Sequence, residues 1–159
     1  MNDTTRLATL LQDKGWMLAT AESCTGGLIA ATCTELSGSS NWFERGFVTY
    51  SNEAKAEMLG VDAELVGRHG AVSEVVARAM AFGAVRHSRA RVSVAVTGVA
   101  GPTGGSPDKP VGLVHFAAAA RNGKITHAEM SYGDIGRSEV RRKSVLQALA
   151  MLKEMAESN

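Results

Sequence analysis

The sequence predicts an α/β protein, a three-layer α/β/α sandwich with a mixed, mostly parallel sheet and one late β-hairpin. Through most of the chain, short apolar strand patterns alternate with helical patterns, as in parallel strands joined by helices. Further on, Asn122-Gly123 separates two more strand patterns, and this dipeptide strongly favours a hairpin. The 159 residues contain no internal repeat, linker or low-complexity segment, so we expect one domain over residues 1–159.

The first part of the chain alternates helices and strands, as judged from apolar spacing and from residues that begin or end an element. The predicted order is a helix around Leu7, Leu10 and Leu11, a strand over 16–20, a helix over 25–36, a strand over 46–51 and a helix between Asn52 and Gly60. Asn52 is a good N-cap for that third helix, and Gly60 ends it. His69, further along, is expected in a loop.

The second part carries a buried strand and the hairpin. Residues 92–96 form a continuous β-branched and alanine run, which is typical of a strand covered on both faces. The predicted order here is a helix capped by Ser73, the strand over 92–96, hairpin strands over 111–119 and 124–131, and a last helix that buries Val145, Leu149 and Leu152. Strands separated by helices early and a hairpin late together give the mixed sheet.

Composition excludes several classes of protein. The net charge is +1, so nothing favours general binding to nucleic acid or to an anionic membrane. The apolar runs are far too short to span a bilayer, and the N-terminus lacks the basic segment and apolar core of a signal peptide. The two cysteines, Cys24 and Cys33, do not form a disulfide framework. We therefore expect a cytoplasmic protein with reduced thiols, in which Cys33 is a small core residue.

Four segments should gather at the carboxyl ends of the strands, where open α/β sheets usually bind ligands. They are residues 22–27, 50–55, 98–105 and 133–142. The first of them places a serine and a cysteine side by side between a strand and a helix. Free N–H groups at the start of a helix favour negative charge, so this turn suits covalent catalysis or anion binding.

Ser23 and Lys55 are the candidate nucleophile and general base. A serine hydroxyl is a weak nucleophile until a base takes its proton, and a neutral lysine can do that. With Asn52 as the N-cap, Lys55 is the third helical residue, where the helix dipole disfavours a cation. Partial burial would lower the pKa of this lysine further. Alternatives stay open: Cys24 as a thiol nucleophile, residues 21–27 as an ordinary helix cap, and Lys55 as a solvated surface lysine.

The glycine-rich loop 98–105 could wrap a phosphate or an oxyanion with main-chain N–H groups. It is neither a P-loop nor a dinucleotide fingerprint, because no Gly-Lys-Ser/Thr closes it and Pro102 interrupts it. Arg137, Arg141 and Arg142, near the start of the last helix, could also hold a phosphate or carboxylate. A wide turn without a ligand and a solvated arginine face are the alternatives. The four histidines lack metal-ligand spacing, so no metal is expected.

Long motifs in a fixed order identify a family. They are AESCTGG at 21–27, WFERGFVTYSNEAK at 42–55, HGAVS at 69–73, GVAGPTGG at 98–105 and KPVG at 109–112. In these the chain resembles the CinA C-terminal domain family, the nicotinamide mononucleotide deamidases of bacteria. The likeness extends from about residue 16 to residue 152. No motif alone is as specific as the set.

The resemblance implies an amidohydrolase that converts the carboxamide of nicotinamide mononucleotide to the acid and releases ammonia. It implies a three-layer α/β/α domain, Ser23 as nucleophile, Lys55 as base, and no metal or other cofactor. The substrate-binding candidates are Thr25, Gly26, Gly27, Tyr50, Gly101, Gly104, Gly105, Arg137 and Arg141. Which loop holds the phosphate and which the oxyanion stays open, as does a role in salvage or in disposal of a by-product.

Two other functions compete with the amidohydrolase. A non-catalytic module for pyridine nucleotides or phosphate would use the glycine loops alone. A competence or DNA-damage response role is suggested only by the family's historical name, and the balanced charge argues against direct DNA binding. The small-molecule substrate is the expected partner, without nucleic acid or membrane. A homo-oligomer is compatible with an enzyme of this size.

Overall fold

The computed structural model describes residues 2–159. Its elements are α1 (Asp3–Lys14), β1 (Leu18–Glu22), α2 (Leu28–Thr34), a short 3-10 helix (Ser39–Asn41), β2 (Phe43–Val48), α3 (Asn52–Leu59), α4 (Ala63–His69), α5 (Glu74–Arg86), β3 (Val92–Gly98), β4 (Leu113–Ala120), β5 (Ile125–Ser131) and α6 (Arg137–Glu157). None of the helices in residues 2–159 is long and apolar enough to cross a membrane.

The five strands form one mixed sheet in the order β2-β1-β3-β4-β5. β1 lies between two parallel neighbours, so Thr20 is opposite Gly46 on β2 and Val94 on β3. β3 pairs antiparallel with β4, and β4 antiparallel with β5 across the predicted hairpin. Since β5 reverses the direction of β4, four strands point the same way. The mixed sheet with a late hairpin is confirmed.

Helices cover both faces of this sheet, which gives the three predicted layers. On one face α1, α2 and α6 pack on strand side chains such as Val94 and Phe116. On the other face α5, with α3 and α4, packs on Ala21, Ala95 and Ala117. The small alanines let α5 approach the strands closely. β1, β3 and β4 are buried along almost their whole length because both faces are covered.

Several boundaries differ from the sequence expectation for local reasons. α2 begins at Leu28 rather than at residue 25, because Gly26 and Gly27 adopt φ of +59° and +108°, outside the right-handed helix. β1 continues to Glu22 because this residue still pairs with Val48 on β2 and Val96 on β3. β2 covers Phe43–Val48 rather than 46–51.

Two helix assignments were wrong. The N-cap of α3 is Ser51, whose hydroxyl accepts the N–H of Ala54 at 3.0 Å, so Asn52 is the first helical residue. Lys55 is therefore the fourth residue of α3, still within its first turn. His69 ends α4, a helix that the sequence did not predict, rather than lying in a loop. Seven residues give too short a pattern for apolar periodicity to show.

Candidate active site

A cleft of about 210 Å³ opens at the carboxyl ends of β1 and β3. This is where a parallel sheet commonly places a ligand. The residues that line it are Ser23, Cys24, Tyr50, Asn52, Lys55, Ala71, Val72, Thr97, Gly98, Ala100 and Arg137. All four predicted segments thus contribute to this cleft, the last of them through Arg137. Larger clefts lie elsewhere on the surface but contain neither Ser23 nor Lys55.

Ser23 and Lys55 meet at the floor of the cleft. Lys55 Nζ lies 3.0 Å from Ser23 Oγ, although the two residues come from different elements. The lysine is 1% exposed and forms no ion pair within residues 2–159. Burial without a countercharge disfavours the ammonium form, and this lowers the pKa of Lys55.

The remaining contacts of Lys55 orient its amine. Nζ donates to the backbone oxygens of Thr49 at 2.9 Å and Tyr50 at 3.3 Å. A neutral amine has two hydrogens and one lone pair, so it donates both hydrogens to the two carbonyl oxygens. The lone pair is then left for the Ser23 hydroxyl. The sheet supplies this arrangement, because the β2–α3 connection passes beside the turn after β1.

Glu22 shapes the turn that carries Ser23, and sequence reasoning missed it. Its buried carboxylate accepts the hydroxyl of Thr25 at 2.6 Å and the N–H groups of Ile29 and Ala30 at 2.9 and 3.0 Å. Gly27, the N-cap of α2, has no side chain to cap the helix, so Glu22 does this from the preceding strand. The signal in the sequence was an acidic residue at the end of an apolar strand.

The turn offers few free N–H groups. Ser23 N–H donates to Val96 O at 3.0 Å, and Gly26 N–H donates to Ser23 O at 3.1 Å. The N–H groups of Cys24 and Thr25 donate to no other residue in the part of the chain that the structure describes. Cys24 lines the cleft directly after Ser23, so an oxyanion could accept from its N–H group, whereas Thr25 is completely buried.

Cys24 is an unfavourable nucleophile in this position. Burial raises the pKa of its thiol to about 11, so the thiolate is scarce near neutral pH. Cys33 is completely buried in the core, as predicted, and burial raises its pKa to about 12. Both cysteines are free.

Arg137 stands at the mouth of the cleft. Its guanidinium donates to Gly101 O at 2.9 Å and to the hydroxyl of Tyr50 at 3.0 Å. Tyr50 is 61% exposed, so its ring is open to a ligand. These contacts join the start of α6 to the loops after β2 and β3, and they bring three of the predicted binding residues together.

Arg141 lies behind the nucleophile turn, outside the lining of the cleft. It donates to Cys24 O at 3.2 Å and Thr25 O at 3.3 Å. A Cβ on Gly26 would come within 3.3 Å of its Nη2, so the glycine admits the guanidinium. Arg142 pairs instead with Glu139 at 2.9 Å on the surface of α6.

The predicted glycines 104 and 105 are exposed and do not line the cleft. A substrate role for Gly104 and Gly105 stays a prediction. In their place the structure brings Asn52, Ala71 and Val72 to the cleft, with Thr97, whose hydroxyl donates to Ala71 O at 2.9 Å. The loop 70–73 could not be placed from sequence because the preceding helix was not predicted.

Residues 2–159 contain no group of three or more histidine, cysteine, aspartate or glutamate side chains that could hold a metal. His115 Nδ1 and His127 Nε2 do lie 2.9 Å apart, on β4 and β5. Their other nitrogens face Glu129 at 3.4 Å and Glu74 at 3.7 Å. The carboxylates therefore point at the far sides of the rings, and the four groups do not converge on one point.

Known proteins resemble this chain over most of its length. It is 54% identical over 143 residues to the nicotinamide-nucleotide amidohydrolase PncC of Escherichia coli K12, covering 89% of this chain and 86% of that protein. It is 53% identical over 151 residues to a putative competence-damage inducible protein of Symbiobacterium thermophilum, covering 91% of this chain. The chain spans only 35% of that second protein's length.

Solved structures share the fold. The competence/damage inducible protein CihA of Agrobacterium tumefaciens matches with a TM-score of 0.89 and 55% identity, covering 96% of this chain and 94% of that one. A CinA superfamily protein of Klebsiella pneumoniae matches with a TM-score of 0.92 and 37% identity over the whole of both chains. The family model described as the CinA C-terminal domain matches residues 2–156. The chain therefore belongs to the CinA C-terminal domain family.

Proposed function

We propose that this chain is a nicotinamide-nucleotide amidohydrolase that converts nicotinamide mononucleotide to nicotinate mononucleotide and ammonia. The observation that carries the proposal is the buried contact of 3.0 Å between Lys55 Nζ and Ser23 Oγ in a cleft. Relatives that carry the name nicotinamide-nucleotide amidohydrolase PncC supply the substrate. One domain over residues 1–159 holds the whole site, and no cofactor is needed.

In the first step Ser23 Oγ attacks the carboxamide carbon while Lys55 Nζ takes the hydroxyl proton. The lowered pKa of Lys55 supports this role, because only the neutral amine can accept a proton. Negative charge develops on the carboxamide oxygen. The N–H group of Cys24, which lines the cleft, is the donor we assign to it, and one such donor is typically worth about 3 kcal/mol.

In the second step Lys55 returns the proton to the leaving nitrogen, and ammonia departs. The carbon–nitrogen bond is broken, and an ester joins Ser23 to the nicotinoyl group. Water then attacks the ester, with Lys55 Nζ again accepting a proton and returning it to Ser23 Oγ. The products are the free acid and the starting enzyme, so atoms and protons balance.

Arg137 is the cation that we assign to the substrate phosphate. Its guanidinium lies at the mouth of the cleft, whereas Arg141 holds the outer side of the nucleophile turn. Tyr50, beside Arg137, offers an exposed ring to the pyridine nucleotide. Thr25, Gly26 and Gly27 contribute through the backbone of the turn rather than through side chains.

The test incubates the purified chain with nicotinamide mononucleotide and measures ammonia and nicotinate mononucleotide. We expect Ser23→Ala and Lys55→Met each to lose activity by about 10³-fold or more, since nucleophile and base are removed. Cys24→Ala is the matched control and should keep most of the activity. Loss in Cys24→Ala with turnover kept in Ser23→Ala would assign the thiol instead.

The same samples distinguish catalysis from simple binding. Acid quenching during turnover, followed by mass spectrometry, should reveal a nicotinoyl mononucleotide ester on the peptide that contains Ser23. Ser23→Ala should show none. Binding of the nucleotide by calorimetry with no ammonia after long incubation would contradict the amidohydrolase and favour a non-catalytic binding module.

A further inference from the structure

Lys109 connects two loops that are far apart in the chain. Its Nζ donates to the backbone oxygen of His69 at 2.6 Å and also to that of Val72. The lysine is half-buried, and no carboxylate pairs with it in residues 2–159. A charged donor on two carbonyl oxygens makes stronger hydrogen bonds than a neutral donor would. This contact fixes the loop 70–73 from outside the cleft.

The loop 70–73 forms one wall of the cleft through Ala71 and Val72. Thr97, at the end of β3, donates to Ala71 O from the inside, at 2.9 Å. Thr97 and Lys109 therefore hold three carbonyl oxygens of one short segment. Gly70 leaves room for the ammonium, because a Cβ there would lie 3.3 Å from Lys109 Nζ.

The glycine-rich segment before Lys109 has a shape that presents this side chain. Ser106 N–H donates to Lys109 O at 2.9 Å, and Lys109 N–H donates back to the hydroxyl of Ser106 at 3.1 Å. Gly105 has φ of +82°, which favours glycine, and a Cβ there would lie 3.0 Å from Lys109 O in this tight turn. Residues 102–108 are exposed and do not line the cleft.

We propose that Lys109 is a positioning residue for substrate binding, acting through the loop 70–73. The inference rests on the proposed amidohydrolase function. Lys109 touches neither Ser23 nor Lys55, so its loss leaves the reacting groups in place. Without the ammonium, His69 O and Val72 O lose their donor. The wall then keeps the bond from Thr97 to Ala71 O and the loop's own bond from the Ser73 hydroxyl to Gly70 O, at 2.8 Å. Substrate then binds less tightly, while bound substrate still reacts.

The first test compares Lys109→Met with Lys124→Met in the amidase assay. Methionine keeps the aliphatic stem and removes the charge. We expect Lys109→Met to raise KM about tenfold with kcat changed less than about twofold, the pattern of a lost binding interaction. Lys124, whose Nζ contacts the hydroxyl of Ser158 at 3.1 Å on a surface away from the cleft, is the matched control. Its variant should keep both constants.

A rescue experiment separates positioning from general destabilisation. Lys109→Cys treated with 2-bromoethylamine regains an ammonium at nearly the same place, and KM should return toward the untreated wild-type value. Cys24 and Cys33 are buried with raised pKa values, so wild-type protein treated in parallel should change little. Gly70→Ala disturbs the same loop, because φ at this residue is +79° and the added Cβ would lie 3.3 Å from the ammonium, so it should also raise KM.

Amide hydrogen exchange gives a readout that does not need turnover. Residues 70–73 should exchange faster in Lys109→Met than in wild type, while residues 23–27 exchange as before. An unchanged KM together with unchanged exchange at 70–73 overturns the proposal, as does a fall in kcat without a rise in KM. A wild-type chain that releases no ammonia refutes the amidohydrolase, and the exchange result then decides on Lys109 alone.

Discussion

At the scale of single residues, the site depends on a lysine held in an unusual environment. Lys55 is buried without a carboxylate, at the first turn of α3, where the helix dipole also disfavours a cation. Two backbone oxygens accept hydrogen bonds from its Nζ, and the Ser23 hydroxyl is the third neighbour. Burial disfavours the ammonium form and so lowers the pKa of Lys55, which leaves a neutral amine that can act as a base.

A pH profile tests this environment. Because burial lowers the pKa of Lys55, the neutral base becomes available below the ordinary lysine value of about 10.4. We expect kcat/KM to rise with pH and to level off with a midpoint below that value. Burial raises the pKa of the neighbouring Cys24 thiol to about 11, so this group titrates above the expected midpoint.

The control for the profile is Cys24→Ala, which should show the same midpoint as wild type. A midpoint at or above about 10.4, the value of a solvated lysine, would show that Lys55 is not held in its neutral form. A midpoint that moves in Cys24→Ala would assign the titration to the thiol.

At the scale of elements, the site depends on how closely α3 packs on α5. Gly83 of α5 lies against the last residue of α3, and a Cβ at this position would come within 2.1 Å of Leu59 O. No side chain fits there without moving a helix. Since α3 carries Lys55, the position of the base relative to Ser23 depends on a glycine two elements away.

Gly83→Ala should therefore destabilise the fold by about 2 kcal/mol or more, in the range of overpacked cores. It should also lower kcat, because α3 shifts. The measurement is urea unfolding beside the amidase assay. The matched control is Gly67→Ala in α4, where no atom lies within 4 Å of the added Cβ. That variant should be neutral or stabilised by up to about 1 kcal/mol. Equal stability of the two variants would contradict the close contact.

At the scale of the whole molecule, two cores share one sheet. The core under α1, α2 and α6 and the core under α5 are built from alternate residues of the same strands. Val94 and Ala95, for example, are neighbours that face opposite layers. Loss of the strand order removes both cores at once, so the layers cannot unfold independently.

We expect residues 2–159 to unfold in one cooperative transition. Trp42 is buried in the core under α1 and α6, and the partly buried Trp16 packs against it, so tryptophan fluorescence reports on that layer. Far-UV circular dichroism reports on helices of both layers. The two urea curves should coincide. Separate midpoints would show two units instead of one domain. The control is Trp16→Phe, which leaves only Trp42 as a probe and so checks that the fluorescence signal comes from the buried core.

Sequence patterns between neighbouring residues predicted most of the helices and strands. Alternating strand and helix patterns, Ser73 as a cap and the Asn122-Gly123 hairpin all depend on neighbours in the chain, and the structure has them in the same order. Boundaries were less accurate, because Glu22 extends β1 by pairing with both neighbouring strands and Gly26 and Gly27 delay α2. The short helix α4 gave no pattern long enough to detect.

The sequence alone determined the fold class, the family and the pair Ser23 and Lys55 as candidates, since these follow from periodicity and from long motifs. Only the tertiary structure decided that the two side chains meet at 3.0 Å, that Glu22 caps α2, and that Lys109 contacts the loop that forms one wall of the cleft. Such contacts join residues brought together by strand order and helix packing. The spacing of residues along the chain does not indicate such distances, so the arrangement of the cleft is set only once the strands pair and the helices pack on them.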